Sequence, residues 1–440
     1  MNFDQKDVPQ QTVKIPRGDI SQRHYSKTRK RRVVIVGCSY AGMSATLTLA
    51  ALKDGLPIPF ASYGNYSHLQ EAPLAQDFNI TIVDERDGFF HSVGAPLAHI
   101  SPAKTHMMWK LYRGFAELKR PDINFIQGAV TNVISESQTI IYQDLAGNPQ
   151  TLDYDYIIIS SGLRRPWPVV PRSRKMISYL KDASTFAQRI TGAQKLGVVV
   201  IGGGAVGVEF AGKIQTHYAG TPVTLIHSRD QLLSNEPLPE EFKLKALKLL
   251  QQEGVKVILN QRVKVEEPPD GTHYVRFNDG GRLHTAMVIM ATASSTPASQ
   301  FLPCSVLSNT GTVNVDSNLR VNAGQDTMAR VFAAGDITSL PGIKLGGTAM
   351  VMGSVAGANA YASLIAEHNP SWPSAMEPYV QMKPRMALSV GNNAVCYSSS
   401  DEGVRFGDEL VEPLFGSDLG WSSKLYFSLN LEIAHEYLNI

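Results

Sequence analysis

An α/β chain of two similar strand-turn-helix units, each with short β runs that resemble meanders, followed by a small C-terminal α+β domain, is predicted by three features of the sequence. An apolar run of strand length, broken by glycine and followed by a small-residue helix, occurs over residues 32 to 52 and begins again at residue 197. The chain has 440 residues, whereas single cores stop growing at about 250 to 300 residues. Short β-type runs separated by Gly, Asn and Asp follow each of the two helices.

Residues 1 to 32 are mostly polar and end in a basic run, Lys27, Arg29, Lys30, Arg31 and Arg32. Asp4, Asp7 and Asp19 argue against a transit peptide, so a flexible basic arm is expected. The first strand spans 32–36, Gly37 breaks it, and a helix runs from about 41 to 52. The polar stretch to residue 76 is too long for a normal connection and reads as an insertion before a strand over 79–83. Runs at 124–126, 139–142 and 156–159 read as a meander closing the first unit. The second unit has strands at 197–201 and 223–226, a helix over 239–252 and a strand at 288–290. A short strand from residue 313, a strand over 331–334 and a Gly-rich helix through residue 360 follow. Pro370, Pro373 and Pro378 mark a boundary before a strand near 386–390 and an aromatic-rich helical tail.

The sharpest motif is Gly202-Gly203-Gly204-Ala205-Val206-Gly207, a Gly-x-G-x-x-G pattern directly after a strand and at the start of a helix. Gly202 permits the turn, Gly204 leaves room for a pyrophosphate, and Gly207 lets helix and strand approach. The diphosphate then sits at the helix N-terminus, where free amides and the dipole favour an anion. That makes the unit a Rossmann-like dinucleotide-binding domain. The first copy, Gly37-Cys38-Ser39-Tyr40-Ala41-Gly42, has Ser39 in place of the middle glycine. Its partner strand ends in Asp84 and Glu85, acids able to accept hydrogen bonds from ribose hydroxyls. The corresponding end in the second unit carries no carboxylate before Asp230, and His227 and Arg229 there can pair with the 2′-phosphate of NADPH, so that NADPH is expected to be tolerated or preferred.

Two further segments complete the pattern: residues 155 to 162, ending in Gly162, and residues 331 to 336, ending in Gly335-Asp336. Together with 83–91, Gly202 through Glu209 and 223–228, they resemble the two-dinucleotide-binding-domain flavoprotein superfamily over about residues 33 to 440. Within it they resemble the apoptosis-inducing-factor-like, ferroptosis-suppressor-protein-like branch. The resemblance implies FAD on a discontinuous domain of residues 33–163 and 300–368, and NADH or NADPH on residues 164–299, with residues 369–440 as the C-terminal domain. It further implies that Asp336 binds the ribityl and phosphate part of FAD and that the segment holding Pro96 lines the flavin ring. Glu209 would lie near the nicotinamide and flavin rings, and Lys344 near the flavin edge, where a cation stabilises the reduced ring. Hydride would pass from NAD(P)H to the flavin, and electrons onward to a quinone-like acceptor.

The chain departs from its relatives at Asn2, where glycine would allow a myristoyl anchor, and at Ala291-Thr292-Ala293-Ser294-Ser295, where Ala-Thr-Gly is usual. Cys38, Cys304 and Cys396 are far apart and form no Cys-x-x-Cys pair, so disulfide reduction is not expected. With 18% charged residues and a net charge of +2, no nucleic-acid partner is expected, nor any metal ligand set. An intracellular protein is expected, cytoplasmic or mitochondrial, monomeric or homodimeric, with peripheral membrane contact open to the tail around Trp421, Tyr426 and Phe427. Two other readings stay open: a biosynthetic flavoenzyme for one small metabolite, and a redox-gated interaction protein.

Overall fold

A computed structural model describes residues 30–58, 66–70, 78–292, 295–322, 328–372, 375–399 and 403–421. The N-terminal arm up to residue 29, much of the 52–76 stretch, Ala293, Ser294 and the tail beyond Trp421 lie outside the described residues.

Five parallel strands form the first sheet in the order Val331–Ala333, Tyr156–Ile159, Arg31–Val36, Phe78–Asp84 and Ile123–Gln127. The last strand in sequence thus returns to this sheet after the chain has built another. The second sheet, also parallel, is ordered Lys256–Ile258, Val223–Ile226, Val198–Ile201 and Met287–Met290. Near-continuous Val and Ile runs form the inner strands, because a parallel sheet covered on both faces buries every side chain.

Two expectations need correction. Residues 124–126 and 156–159 belong to the parallel sheet and not to a meander, which consists of Ala129–Ile134, Thr139–Gln143 and Pro149–Asp153. Tyr156–Ile159 is four consecutive buried apolar residues, whereas a meander with one wet face alternates, as Thr139–Gln143 partly does. No strand starts at Val313, which makes only isolated bridges to Leu307 and Thr338.

The helix Tyr40–Lys53 packs on the helix Gly346–His368 at backbone distance. A Cβ on Gly353 would lie 2.1 Å from the Ala41 carbonyl oxygen, so only glycine fits. Ser44 Oγ donates to the Met350 carbonyl and Thr48 Oγ1 to Ser354 Oγ, which satisfies the polar groups of this buried contact. Among the described residues Gly346–His368 is the one helix long and apolar enough to cross a membrane, and 89% of its apolar window is buried in the fold.

Two elements lie between the sheets. Met176–Thr191 buries Tyr179, Ala183, Phe186, Ala187 and Ile190, one stripe at helical spacing. Ala95–Ile100 packs against this helix and against Ala205–His217 of the second unit. The C-terminal sheet, Arg385–Val390, Asn393–Ser398 and Gly403–Gly407, is antiparallel and docks on the second unit. Lys213 Nζ donates to the Gly391 carbonyl at 2.8 Å, and the Glu253 carboxylate accepts from Asn392 N and Asn393 Nδ2 at 2.9 Å.

Candidate functional site

Both glycine turns arise from the same crossing. Gly37 and Gly202 adopt φ of +86° and +120°, left-handed values that favour glycine. A Cβ on Gly42 would lie 1.9 Å from the Gly37 carbonyl oxygen, and one on Gly207 would lie 1.8 Å from that of Gly202. Helix and strand can approach this closely only through bare Cα atoms. Gly204 and Gly162 differ: an added Cβ would meet nothing within 4 Å, so these two glycines present open backbone to the clefts.

Three clefts run along these turns. The first, about 310 Å³, is bordered by Gly37, Asp84, Glu85, Arg86, Ser161 and Arg164. The second, about 250 Å³, is lined by Ser39, Tyr40, Ala41, Asp84, Pro96, Gly162, Glu209, Gly335, Asp336 and Lys344, among others. The third, about 700 Å³, is lined by Gly202, Gly204, Ala205, Val206, His227, Arg229 and Lys344. Every residue expected from the sequence to bind a coenzyme or act in catalysis therefore borders a cleft except Gly42 and Gly207, which make the crossings. Asp84, Arg86 and Ser161 are common to the first two clefts. Leu163, Arg165, Ala205, Val206, Lys344 and Met386 are common to the second and third.

Asp84 is turned inward. Its Oδ2 accepts the Cys38 backbone N–H at 2.6 Å and the Tyr112 hydroxyl at 3.2 Å, and Oδ1 accepts Arg86 N–H at 2.8 Å. Burial raises the Asp84 carboxyl above its usual range, while Arg86 and the two backbone donors oppose this. Glu85 holds Arg164 through two hydrogen bonds of 2.9 and 3.1 Å. Asp336 pairs with Arg165 at 3.1 Å; burial raises its carboxyl against Arg165 and Lys344. Lys344 Nζ donates to the Thr338 and Leu340 carbonyls, both at 3.0 Å. Burial lowers its ammonium pKa, with Asp336 opposing. Buried Glu209 accepts the Ser389 N–H at 3.4 Å, tying it to the C-terminal strand.

His227 Nδ1 accepts the Gly203 N–H at 3.0 Å, and Nε2 meets Ser234 Oγ at 3.2 Å. Burial, then Arg229, lowers its pKa, so at neutral pH it is an uncharged brace for the turn.

The residue model of the pyridine nucleotide-disulphide oxidoreductase family matches residues 31–358. The chain belongs to that family. It is a flavin-dependent pyridine nucleotide oxidoreductase. "Oxidoreductase OXR1" of Ajellomyces capsulatus is 37% identical over 92% of this chain and 89% of its own length. Human ferroptosis suppressor protein 1 is 27% identical over 74% of this chain and 79% of its own. Among solved structures, NDH2 from Plasmodium falciparum in complex with NADH superposes with a TM-score of 0.66 at 13% identity, covering 91% of this chain and 97% of that one. That likeness concerns the fold.

Arg86, Arg164, Arg165, Glu236 and Arg262 also line the clefts of this oxidoreductase and were not singled out in the sequence. Arg164 and Arg165 carried a readable signal, a basic pair two residues after the open glycine Gly162. Arg262 carried none, because it reaches the cleft from the loop after a different strand, Lys256–Ile258.

Proposed function

We propose that the chain is an FAD-dependent oxidoreductase that takes hydride from NADH or NADPH and passes electrons to a quinone-like or other small non-disulfide acceptor. The observation that carries this reading is the shared wall of the second and third clefts, where Ala205, Val206, Lys344 and Arg165 border both. A nicotinamide in the larger cleft would there meet a flavin in the smaller one. On this reading FAD lies on residues 33–163 and 300–368, the nicotinamide coenzyme on 164–299, and residues 369–440 form a further domain.

The residues fit the flavin nucleotide. Gly162 offers open backbone, the first glycine turn offers a helix N-terminus for the diphosphate, and Asp336 and Glu85 offer carboxylates for hydroxyl groups. When bound, FAD supplies two-electron chemistry that no side chain provides. Lys344, fixed by two carbonyls, supplies positive charge beside the site where negative charge develops. Glu209, held by Ser389 N–H, orients the coenzyme ring.

A disulfide acceptor is disfavoured by the cysteines. Cys38 and Cys396 are buried, Cys304 is exposed, none of the three forms a disulfide, and burial raises the Cys38 thiol so that it stays protonated. A membrane-borne quinone would be met peripherally, since the apolar helix Gly346–His368 is buried inside the fold.

Stopped-flow mixing of the purified yellow protein with NADH and NADPH tests the reading. Bleaching of the flavin band, then its return with a water-soluble quinone, is expected. Failure of quinone, ferricyanide and oxygen alike to restore the band would overturn the acceptor class. Glu209→Ala is expected to slow bleaching roughly tenfold, equivalent to ~1.4 kcal/mol, while flavin content is retained; unchanged kinetics would remove Glu209 from the reaction.

A further inference from the structure

We propose that the enzyme selects NADPH over NADH through an arginine pair, Arg229 and Arg262, that grips the 2′-phosphate. This deepens the proposed function and rests on its assignment of the third cleft to a nicotinamide dinucleotide. The two arginines follow different strands of the second sheet, and backbone hydrogen bonds join the segments that carry them. His227 N–H donates to the Ile258 carbonyl at 2.8 Å, Asn260 N–H to the Arg229 carbonyl at 2.9 Å, and Gln261 N–H to the His227 carbonyl at 3.0 Å. Asn260 takes a positive φ of 59°, which bends the chain back beside residues 227 to 229. The loop after Lys256–Ile258 is thereby stapled to the end of Val223–Ile226, and Arg262 arrives at the mouth where Ser228 and Arg229 already stand.

Both arginines are exposed, both line the cleft, and among the described residues neither makes an ion pair. Their charge is unspent. His227 contributes none, because burial keeps it neutral and both ring nitrogens are engaged. The acid in the same cleft, Glu236, is partly buried, and the charges that act on it are Lys243 and Arg165 and not the arginine pair. No carboxylate stands at residues 227 to 229 to grip the two free ribose hydroxyls of NADH. What the mouth does offer is two planar, permanently charged forks and the Ser228 hydroxyl, a match for a phosphate dianion. The likeness to NDH2, solved with NADH, covers the fold and leaves coenzyme choice to these local residues.

The test uses the flavin-loaded full chain and two measurements. The ratio of kcat/KM for NADPH over NADH is expected to exceed about tenfold, and Arg229→Ala and Arg262→Ala are each expected to lower that ratio about tenfold. Arg262→Lys, which keeps the charge and loses the fork, should fall between. In calorimetry, 2′,5′-ADP should bind at least about tenfold tighter than 5′-AMP, and the double variant should abolish the difference. A wild-type ratio at or below one, or an Arg262→Ala variant with an unchanged ratio, overturns the proposal. Should neither nicotinamide bleach the flavin, the proposed function fails, and the preference between 2′,5′-ADP and 5′-AMP still decides the arginine pair.

Discussion

The two glycine turns share their covalent logic and differ in what surrounds them. In each, the first glycine N–H reaches the end of the neighbouring strand at 2.9 Å, from Gly37 to Val83 and from Gly202 to Ile226. In each, the last glycine crosses the first carbonyl too closely for a Cβ. Beyond that, the first turn is sealed on its inner side. Its Cys38 N–H ends on a buried carboxylate, and its Cys38 carbonyl accepts the Tyr112 hydroxyl at 2.9 Å. The second turn ends on the half-buried imidazole of His227 and opens into a 700 Å³ cleft. Glycine spacing thus encodes the turn, and the residue at the neighbouring strand end encodes how permanently the turn is closed. A sealed turn suits a resident cofactor and an open one suits a coenzyme that comes and goes.

The largest effect should come from filling the crossings. Gly42→Ala puts a methyl group 1.9 Å from a backbone oxygen that cannot yield cheaply, and should cost at least about 3 kcal/mol. We expect little soluble protein and no flavin in what is recovered. Gly207→Ala creates the same clash at the open turn, and should leave flavin bound while NAD(P)H no longer bleaches it. Equal flavin loss in both variants, measured by absorbance of the purified proteins, would erase the distinction between the turns.

A second effect tests how the two turns are held together. His99, on the helix between them, is buried among the rings of Phe90, Trp167, Tyr179 and Phe186. Burial lowers its pKa from 6.5 to about 3, and the Pro168 backbone offsets little of this. Between those values the unfolded chain takes up a proton that the folded chain refuses. Stability present above pH 6.5 is therefore lost as pH falls toward 3, by roughly 1.4 kcal/mol per pH unit. Denaturant midpoints from pH 7 to 4 should show this slope and lose it in His99→Phe; an identical slope in the variant would place the acid sensitivity elsewhere.

Much of this architecture was legible because its causes are local. Apolar runs marked the strands, and the three-glycine spacing marked both crossings, even with Ser39 in the middle position. What was misread required knowledge of both faces of a strand: Tyr156–Ile159 lacks alternation because the helix pair Tyr40–Lys53 and Gly346–His368 covers one face and the meander, with Leu302, Val306 and Ile337, covers the other. The stripe from Tyr179 to Ile190 was readable at helical spacing and was passed over. Other features depend on distance in sequence. Tyr112 reaches Asp84 from 28 residues away, and Arg262 lines the same cleft as Arg229 only because the segments that carry them follow adjacent strands, which no local pattern records.

Asp84→Asn probes the seal itself at intermediate size. The carboxylate accepts three donors, two of them on one oxygen, and an amide can serve only one side. One donor group is left buried and unsatisfied, at a cost of about 2 kcal/mol. Because burial raises the Asp84 pKa, ionisation is less favourable in the folded chain than in the unfolded one. The wild-type contribution is thus largest at low pH and lost as pH rises through the raised pKa, opposite in sign to His99. Faster flavin release from Asp84→Asn on dilution would support the seal; release at the wild-type rate would make Asp84 a passive core residue.

The smallest effect separates the seal from the surface around it. Glu85 and Arg164 form a two-bonded pair at the rim of the first cleft, with the Arg164 side chain 56% exposed. The second turn has no such pair, so it is tempting to count this one as part of the closure. Solvent screening and the side-chain entropy lost by a long exposed arginine argue that it is worth less than about 1 kcal/mol. Arg164→Ala should therefore leave the thermal midpoint nearly unchanged and free the Glu85 carboxylate to meet a ribose hydroxyl. A large drop in midpoint or in flavin retention would extend the seal from the buried Asp84 out to the rim, and the sealed turn would then be held from two sides.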